Sequence, residues 1–196
     1  TTLNSVTGPI DSATLGFTLM HEHVLIAASG LTQSYPDLLG PNYEARAVEC
    51  LKKAKANGID TMLDATTFDL GRDPKLLQRV AAASGINLIN VTGWWLDVPR
   101  FMHGVGANQM ADEFIRDLTE GFRGTDIKAG MLKCAADFEG VTAPLETMAR
   151  AVARAHLQTG VPIMVHSYPT GHVARRQIQI FREEGVDLSR VKIDHC

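Results

Sequence analysis

The sequence predicts an α/β chain of parallel strands joined by helical crossovers, the first six units of a (β/α)8 barrel of the TIM type. Three observations predict it. Short β-rich runs alternate with longer amphipathic segments across all 196 residues, which is the strand, crossover helix, strand pattern. The last polar residues of the six runs are His23, Asp64, Thr92, Lys133, His166 and His195, at intervals of 41, 28, 41, 33 and 29 residues. A barrel of roughly 250 residues averages about 31 per unit and collects its polar groups at the C-terminal ends of its strands. Finally, HEHVLIAAS after the first run contains no G-x-G-x-x-G, the phosphate loop that a nucleotide-binding open sheet places there.

Strands are expected at 17–25, 61–65, 87–92, 130–134, 162–166 and 191–195. The first reads as a buried strand, because Phe17, Leu19, Met20, Val24 and Leu25 surround the ionisable residues His21, Glu22 and His23. Polar groups are tolerated in such a run only when something satisfies them. Between the strands, EARAVECLKKAKANG, DPKLLQRVAAASG and PLETMARAVARAHLQTG place apolar residues three and four apart and end at Gly58, Gly85 and Gly160. Glycine there suits a left-handed helix stop. Pro74 and Pro144 sit where a first helical turn accepts them. Helices at 109–121 and 172–184 complete the set, the second ending at Gly185.

Composition narrows the functional classes. With 45% hydrophobic and 21% charged residues the chain can bury a sizeable core, so one domain, 1–196, is expected. Its 19 basic and 22 acidic residues are scattered and sum to −3, which argues against nucleic acid or a membrane surface as partner. A small-molecule substrate suits it better, and a homodimer is among the assemblies this surface allows. Cys50, Cys134 and Cys196 form neither a close pair nor a metal knuckle, so a reducing, cytoplasmic setting is expected. No apolar leader segment opens the chain, although it also lacks an initiator Met.

Side chains two apart on a strand face the same way, so His21 and His23 form a two-imidazole claw while Glu22 faces the helical layer. Alone, H-x-H is a weak signal. With His166 and His195 ending two later strands, four imidazoles at one barrel mouth point to metal. Lys133 puts an amine inside the apolar strand GMLKC; its stem could pack in the core while the ammonium reaches Asp64 or Asp137. Burial also favours a neutral, nucleophilic amine. Such an amine can add carbon dioxide, and the carbamate's two oxygens could bridge two divalent ions, which makes Lys133 the residue on which catalysis would turn.

Other residues divide between site and scaffold. Trp94 and Trp95 follow the third strand and are expected to line an apolar substrate pocket, with Tyr168 placed to reach a substrate oxygen. Asp64 and Thr92 are expected either to hydrogen-bond the ligating histidines or simply to cap strand ends. His103, His156 and His172 read as solvated surface, and Cys134 as a core residue facing away from Lys133.

The segments TGPIDSATLGFTLMHEH, VTGWWLDVPRFM, IKAGMLKCA, HLQTGVPIMVHS and RVKIDH resemble, in order and over essentially the whole chain, the phosphotriesterase family of the amidohydrolase superfamily. The resemblance implies a binuclear metal-dependent hydrolase. His21, His23, Lys133 as a carbamate, His166 and His195 would be the ligands, and a bridging hydroxide the nucleophile. Zinc is the first choice of metal, with cobalt, manganese or iron also suiting the ligands. Trp95 would contact a bulky leaving group. The family brings a further Asp ligand at the end of strand 8, whereas this sequence stops at Cys196 after the sixth strand, so a C-terminally incomplete barrel is expected. The activity implied is hydrolysis of organophosphate triesters or lactones. The alternatives are a mononuclear amidohydrolase acting on a cyclic amide, and an inactive metal-binding barrel remnant.

Overall fold

The computed structural model describes residues 1–195. Their contacts group them into two compact units, one of Thr1–Val91 with Thr119–Gly130, the other of Thr92–Leu118 with the chain from Met131 onward.

The first unit opens with a hairpin absent from the expectations above. Strands β1 (Thr2–Ser5) and β2 (Gly8–Asp11) pair antiparallel, from Thr2 opposite Asp11 to Ser5 opposite Gly8. The turn is held by the Ser5 hydroxyl, which donates to the Gly8 carbonyl at 2.7 Å and accepts from the Thr7 amide. Four-residue strands carry too little alternation to stand out in a sequence. What fixes this one is tertiary: the Asn4 amide donates to the Ala129 carbonyl at 2.9 Å, and the Val6 N–H to the Leu88 carbonyl at 2.9 Å.

Three parallel strands follow, β3 (Thr18–Glu22), β4 (Thr61–Asp64) and β5 (Asn87–Gly93), β3 pairing with β4 and β4 with β5. A short helix, α1 (Leu31–Ser34), and α2 (Tyr43–Ala56) separate the first two strands; α3 (Pro74–Ser84) separates the next two. Helix α3 shows how the local code works. The Asp73 carboxylate caps it by accepting the Leu76 N–H at 3.0 Å, Pro74 takes the first position, and Gly85 ends it at φ +75°. Its Leu76, Leu77, Val80 and Ala81 are buried.

β3 corrects one expectation. It covers five residues rather than nine, and within this chain its side chains are half-buried rather than buried, Met20 being 39% exposed. Within this chain β3 is hydrogen-bonded to β4, and it ends because the Val24 N–H turns to the Asp64 carboxylate at 2.9 Å instead of continuing a ladder.

The second unit repeats the βα theme. β6 (Met131–Ala136), β7 (Ile163–Ser167) and β8 (Val191–Asp194) are parallel, with β7 between the other two. The helices are α4 (Ala107–Thr119), α5 (Ala143–Thr159) and α6 (Val173–Glu183), all within a residue or two of expectation. Side chains of β6 are buried at all six positions, as parallel strands covered on both faces require. Helices α5 and α6 are laced by Arg150, which pairs with Glu146, Glu183 and Glu184, and by Arg176, which pairs with Glu146 and Glu183. His156 corrects a second expectation. It is 6% exposed on the inner face of α5, where Nδ1 meets the Val161 carbonyl at 2.8 Å. None of the described helices is long and apolar enough to cross a membrane.

Candidate functional site

In the first unit the claw forms around the end of β3. The His21 and His23 rings lie 5.6 Å apart, centroid to centroid. His21 is in the strand and His23 one residue past it. A register irregularity between Leu19 and Glu22 re-aims this end of the strand. Behind His23 stands a residue that sequence reading missed. The Thr66 hydroxyl meets His23 Nδ1 at 2.9 Å and donates its proton to Asp64 Oδ1 at 2.9 Å. Asp64 also accepts the Val24 N–H on Oδ1 and the Asn90 side-chain amide on Oδ2, at 2.9 and 3.1 Å. Asp64, Thr66 and Asn90 are no more than 2% exposed. In TMLDATTF the only clue was the density of short polar residues after a strand.

In the second unit, Lys133, His166, His195 and Trp95 occupy one region. Lys133 is the third of six residues in β6, not at the strand end, and is 1% exposed. Ala135 pairs with His166 in the β6–β7 ladder. Paired residues share a face, as do residues two apart, so Lys133 and His166 project from the same side. Cys134 projects from the other, fully buried, and burial pushes its thiol up to about 12. The His166 ring lies 4.7 Å from that of His195 and 5.6 Å from that of Trp95, which meets it edge-on at 88°. His195, expected as the last residue of a strand, follows β8 in a left-handed conformation, φ +62°.

His166 Nε2 is 3.1 Å from Asp137 Oδ2. Burial holds the ring's pKa below its ordinary 6.5, opposed by the Asp137 hydrogen bond and assisted by the nearby His195 and Lys133 charges. The ring is therefore neutral near pH 7, with Nε2 donating to Asp137 and the lone pair on Nδ1. The backbone here is pinned by Gln177 of α6. Its amide donates to the His166 carbonyl at 3.0 Å, and its carbonyl accepts the Ser167 hydroxyl. Gln177 is 1% exposed and sits in the sequence as an ordinary helix residue.

The remaining expected residues fall as follows. Trp94 is 7% exposed and packs against Phe114, centroids 4.8 Å apart, while Trp95 is half-buried beside His166. Tyr168 is 37% exposed and donates its backbone N–H to the Ala136 carbonyl. The Thr92 hydroxyl donates to Asp117 of α4 at 2.7 Å.

Among the described residues, no three His, Cys, Asp or Glu side chains are grouped as a ready-made metal site. The individual donors nonetheless suit a divalent ion. His166 has Nε2 committed to the Asp137 carboxylate and His23 has Nδ1 at the Thr66 hydroxyl, and an imidazole oriented in this way is the form in which histidine binds metal.

The phosphotriesterase family model matches residues 1–196. The chain belongs to this family. The phosphotriesterase homology protein of Mycobacterium tuberculosis (strain ATCC 25618 / H37Rv) is 45% identical over 205 residues, covering 99% of this chain and 63% of the relative. The aryldialkylphosphatase of Saccharolobus solfataricus is 39% identical over 189 residues, covering 95% of this chain and 60% of the relative. The solved structure of the phosphotriesterase from Mycobacterium tuberculosis superposes with a TM-score of 0.94 at 45% identity, over 100% of this chain and 64% of that one. The six parallel strands and their helices thus match part of a phosphotriesterase fold, and the chain spans about three fifths of the length of these curated relatives. Family members include hydrolases, the aryldialkylphosphatase among them.

Proposed function

We propose that this phosphotriesterase-family chain supplies the first six units of a (β/α)8 barrel whose site hydrolyses an ester-type bond, an organophosphate triester or a lactone, with two divalent metal ions. The observation that carries the reading is Lys133, fully buried on the same side of the β6–β7 ladder as His166. Core packing alone gives no reason for an amine there. Lys133 would serve as a carbamate, its ammonium losing one proton to give the amine and the amine adding carbon dioxide with release of a second, and so change from a repelling cation into an anionic ligand. His21, His23, His166 and His195 would complete the donor set, with zinc favoured among the metals that imidazole and carboxylate-like oxygens accept. When bound, such ions acidify water and polarise a phosphoryl or carbonyl oxygen.

The chain's own residues do the rest. Asp137 holds the Nε2 proton of His166 and so keeps that ring oriented. Gln177 fixes the backbone from which the ring projects. Trp95 offers an apolar face beside His166 to an aryl leaving group.

Replacing His21 and His23 together by Ala tests the metal reading directly. The protein is expected to keep its fold, since both side chains are only partly buried, and to lose metal as measured by elemental analysis. Unchanged metal content in the double variant would refute it. Trp95→Ala is expected to raise KM about tenfold for aryl esters and little for small aliphatic ones, about 1.4 kcal/mol of lost apolar contact. Equal effects on both substrate types would exclude a leaving-group contact.

A further inference from the structure

We propose that Thr66 is a positioning residue that sets which nitrogen of His23 carries the ring proton, and thereby which nitrogen faces a metal ion. The inference rests on the metal-hydrolase reading only for the identity of the ligand; the proton assignment stands on geometry alone.

A hydroxyl has one proton to give, and a carboxylate can only accept. The Thr66 proton goes to Asp64 Oδ1 at 2.9 Å, so the 2.9 Å contact between Thr66 Oγ1 and His23 Nδ1 must use a hydroxyl lone pair. Nδ1 is then the donor, and in the neutral ring the lone pair lies on Nε2. Polarity in this chain runs one way, from His23 to Thr66 to Asp64. It is enforced at the far end, because Asp64 is held as an acceptor by the Val24 N–H at 2.9 Å and the Asn90 amide at 3.1 Å.

The same carboxylate orders the backbone beside the ring. Val24 follows His23 directly, so the hydrogen bond that ends β3 also fixes where the imidazole starts. Burial makes the arrangement durable: Thr66 is 2% and Asp64 1% exposed, and breaking a buried chain of this kind leaves polar groups unsatisfied. His23 thus receives its orienting contact from a carboxylate relayed through a hydroxyl, where many metal-binding histidines receive it from a carboxylate directly. Thr66, two residues past the strand-end acid Asp64, is the group that touches the ring.

The test uses two readouts. In metal-free protein labelled with nitrogen-15, at a pH about two units above the ordinary imidazole value of about 6.5, two-bond proton–nitrogen correlations report the tautomer of each ring. His23 is expected as the Nδ1–H form in the parent and in Thr66→Ser, which keeps the hydroxyl, and as a mixture in Thr66→Val, which keeps the shape without it. Zinc affinity, measured by competition with a chromogenic chelator, is expected to fall about 10- to 100-fold in Thr66→Val and to stay near the parent value in Thr66→Ser.

An Nε2–H tautomer in the parent overturns the proposal without any variant being needed, so poor folding of Thr66→Val cannot shield it. Equal zinc affinity in parent and Thr66→Val overturns it as well. Should the tautomers follow expectation while parent protein takes up no zinc at all, the Thr66 assignment is upheld and the metal-hydrolase reading is the one that fails.

Discussion

Metal-free protein is expected to regain its metal ions only when bicarbonate is present, and Lys133→Ala to lose most of its activity. Lys133 is 1% exposed in a strand buried at all six positions. Desolvating an ammonium there costs several kcal/mol, and its charge would repel two divalent cations. A carbamate replaces the repulsion by attraction, and pairing with the cations would offset the cost of burying its charge. Reconstituting the protein with zinc in degassed buffer, with and without added bicarbonate, measures the dependence. In Lys133→Ala a short carboxylic acid is expected to restore part of the activity by occupying the space the side chain leaves. Lys133→Met, which refills that space, should show no such rescue. Reconstitution indifferent to bicarbonate would show that the lysine acts unmodified.

Gly93→Ala is expected to be among the most damaging single substitutions outside the donor set. Gly93 closes β5 at φ +115°, and a Cβ there would lie 1.8 Å from the carbonyl oxygen of Lys133. An L side chain at positive φ costs roughly 1–2 kcal/mol, and overpacking adds about 1–3 kcal/mol. A loss of about 3 kcal/mol lowers the melting temperature by roughly 6–12 °C in a chain of this size. The natural control is Gly185→Ala, at φ +85° but with nothing within 4 Å of the added carbon, which should cost only the backbone strain. Equal melting temperatures for the two variants would remove the clash from the account. The clash falls on the backbone of the very residue proposed to take up carbon dioxide, so Gly93→Ala should also weaken metal uptake.

Much of the scaffold was legible because its signals are local. Asp73, Pro74 and Gly85 delimit α3 by capping chemistry that needs no tertiary partner. Gly160 does the same for α5 at φ +71°. The His21 and His23 rings do lie near one another, 5.6 Å apart, but His23 falls past the end of β3, so their placement rests on the turn after the strand as well as on H-x-H spacing. Strand ends were less legible. Lys133 was placed at the end of its strand and lies in the middle, because Ala135 and Ala136 extend the ladder to β7 and small apolar residues carry no stop signal.

By itself, the sequence determined the alternation of strands and helices, the order of the chemistry-bearing side chains and the family to which they belong. The first two follow from periodicity, capping and residue type, readable within a few positions, and the family from the resemblance of motifs matched in order along the whole chain. Tertiary structure alone decided which groups hold those side chains. Thr66 meets His23 across 43 residues, Asp137 meets His166 across 29, and Gln177 reaches from α6 to the His166 carbonyl across 11. Hydrogen-bond partners are chosen by distance in space, and ordinary threonine, aspartate and glutamine residues carry no mark of that choice until the chain has folded.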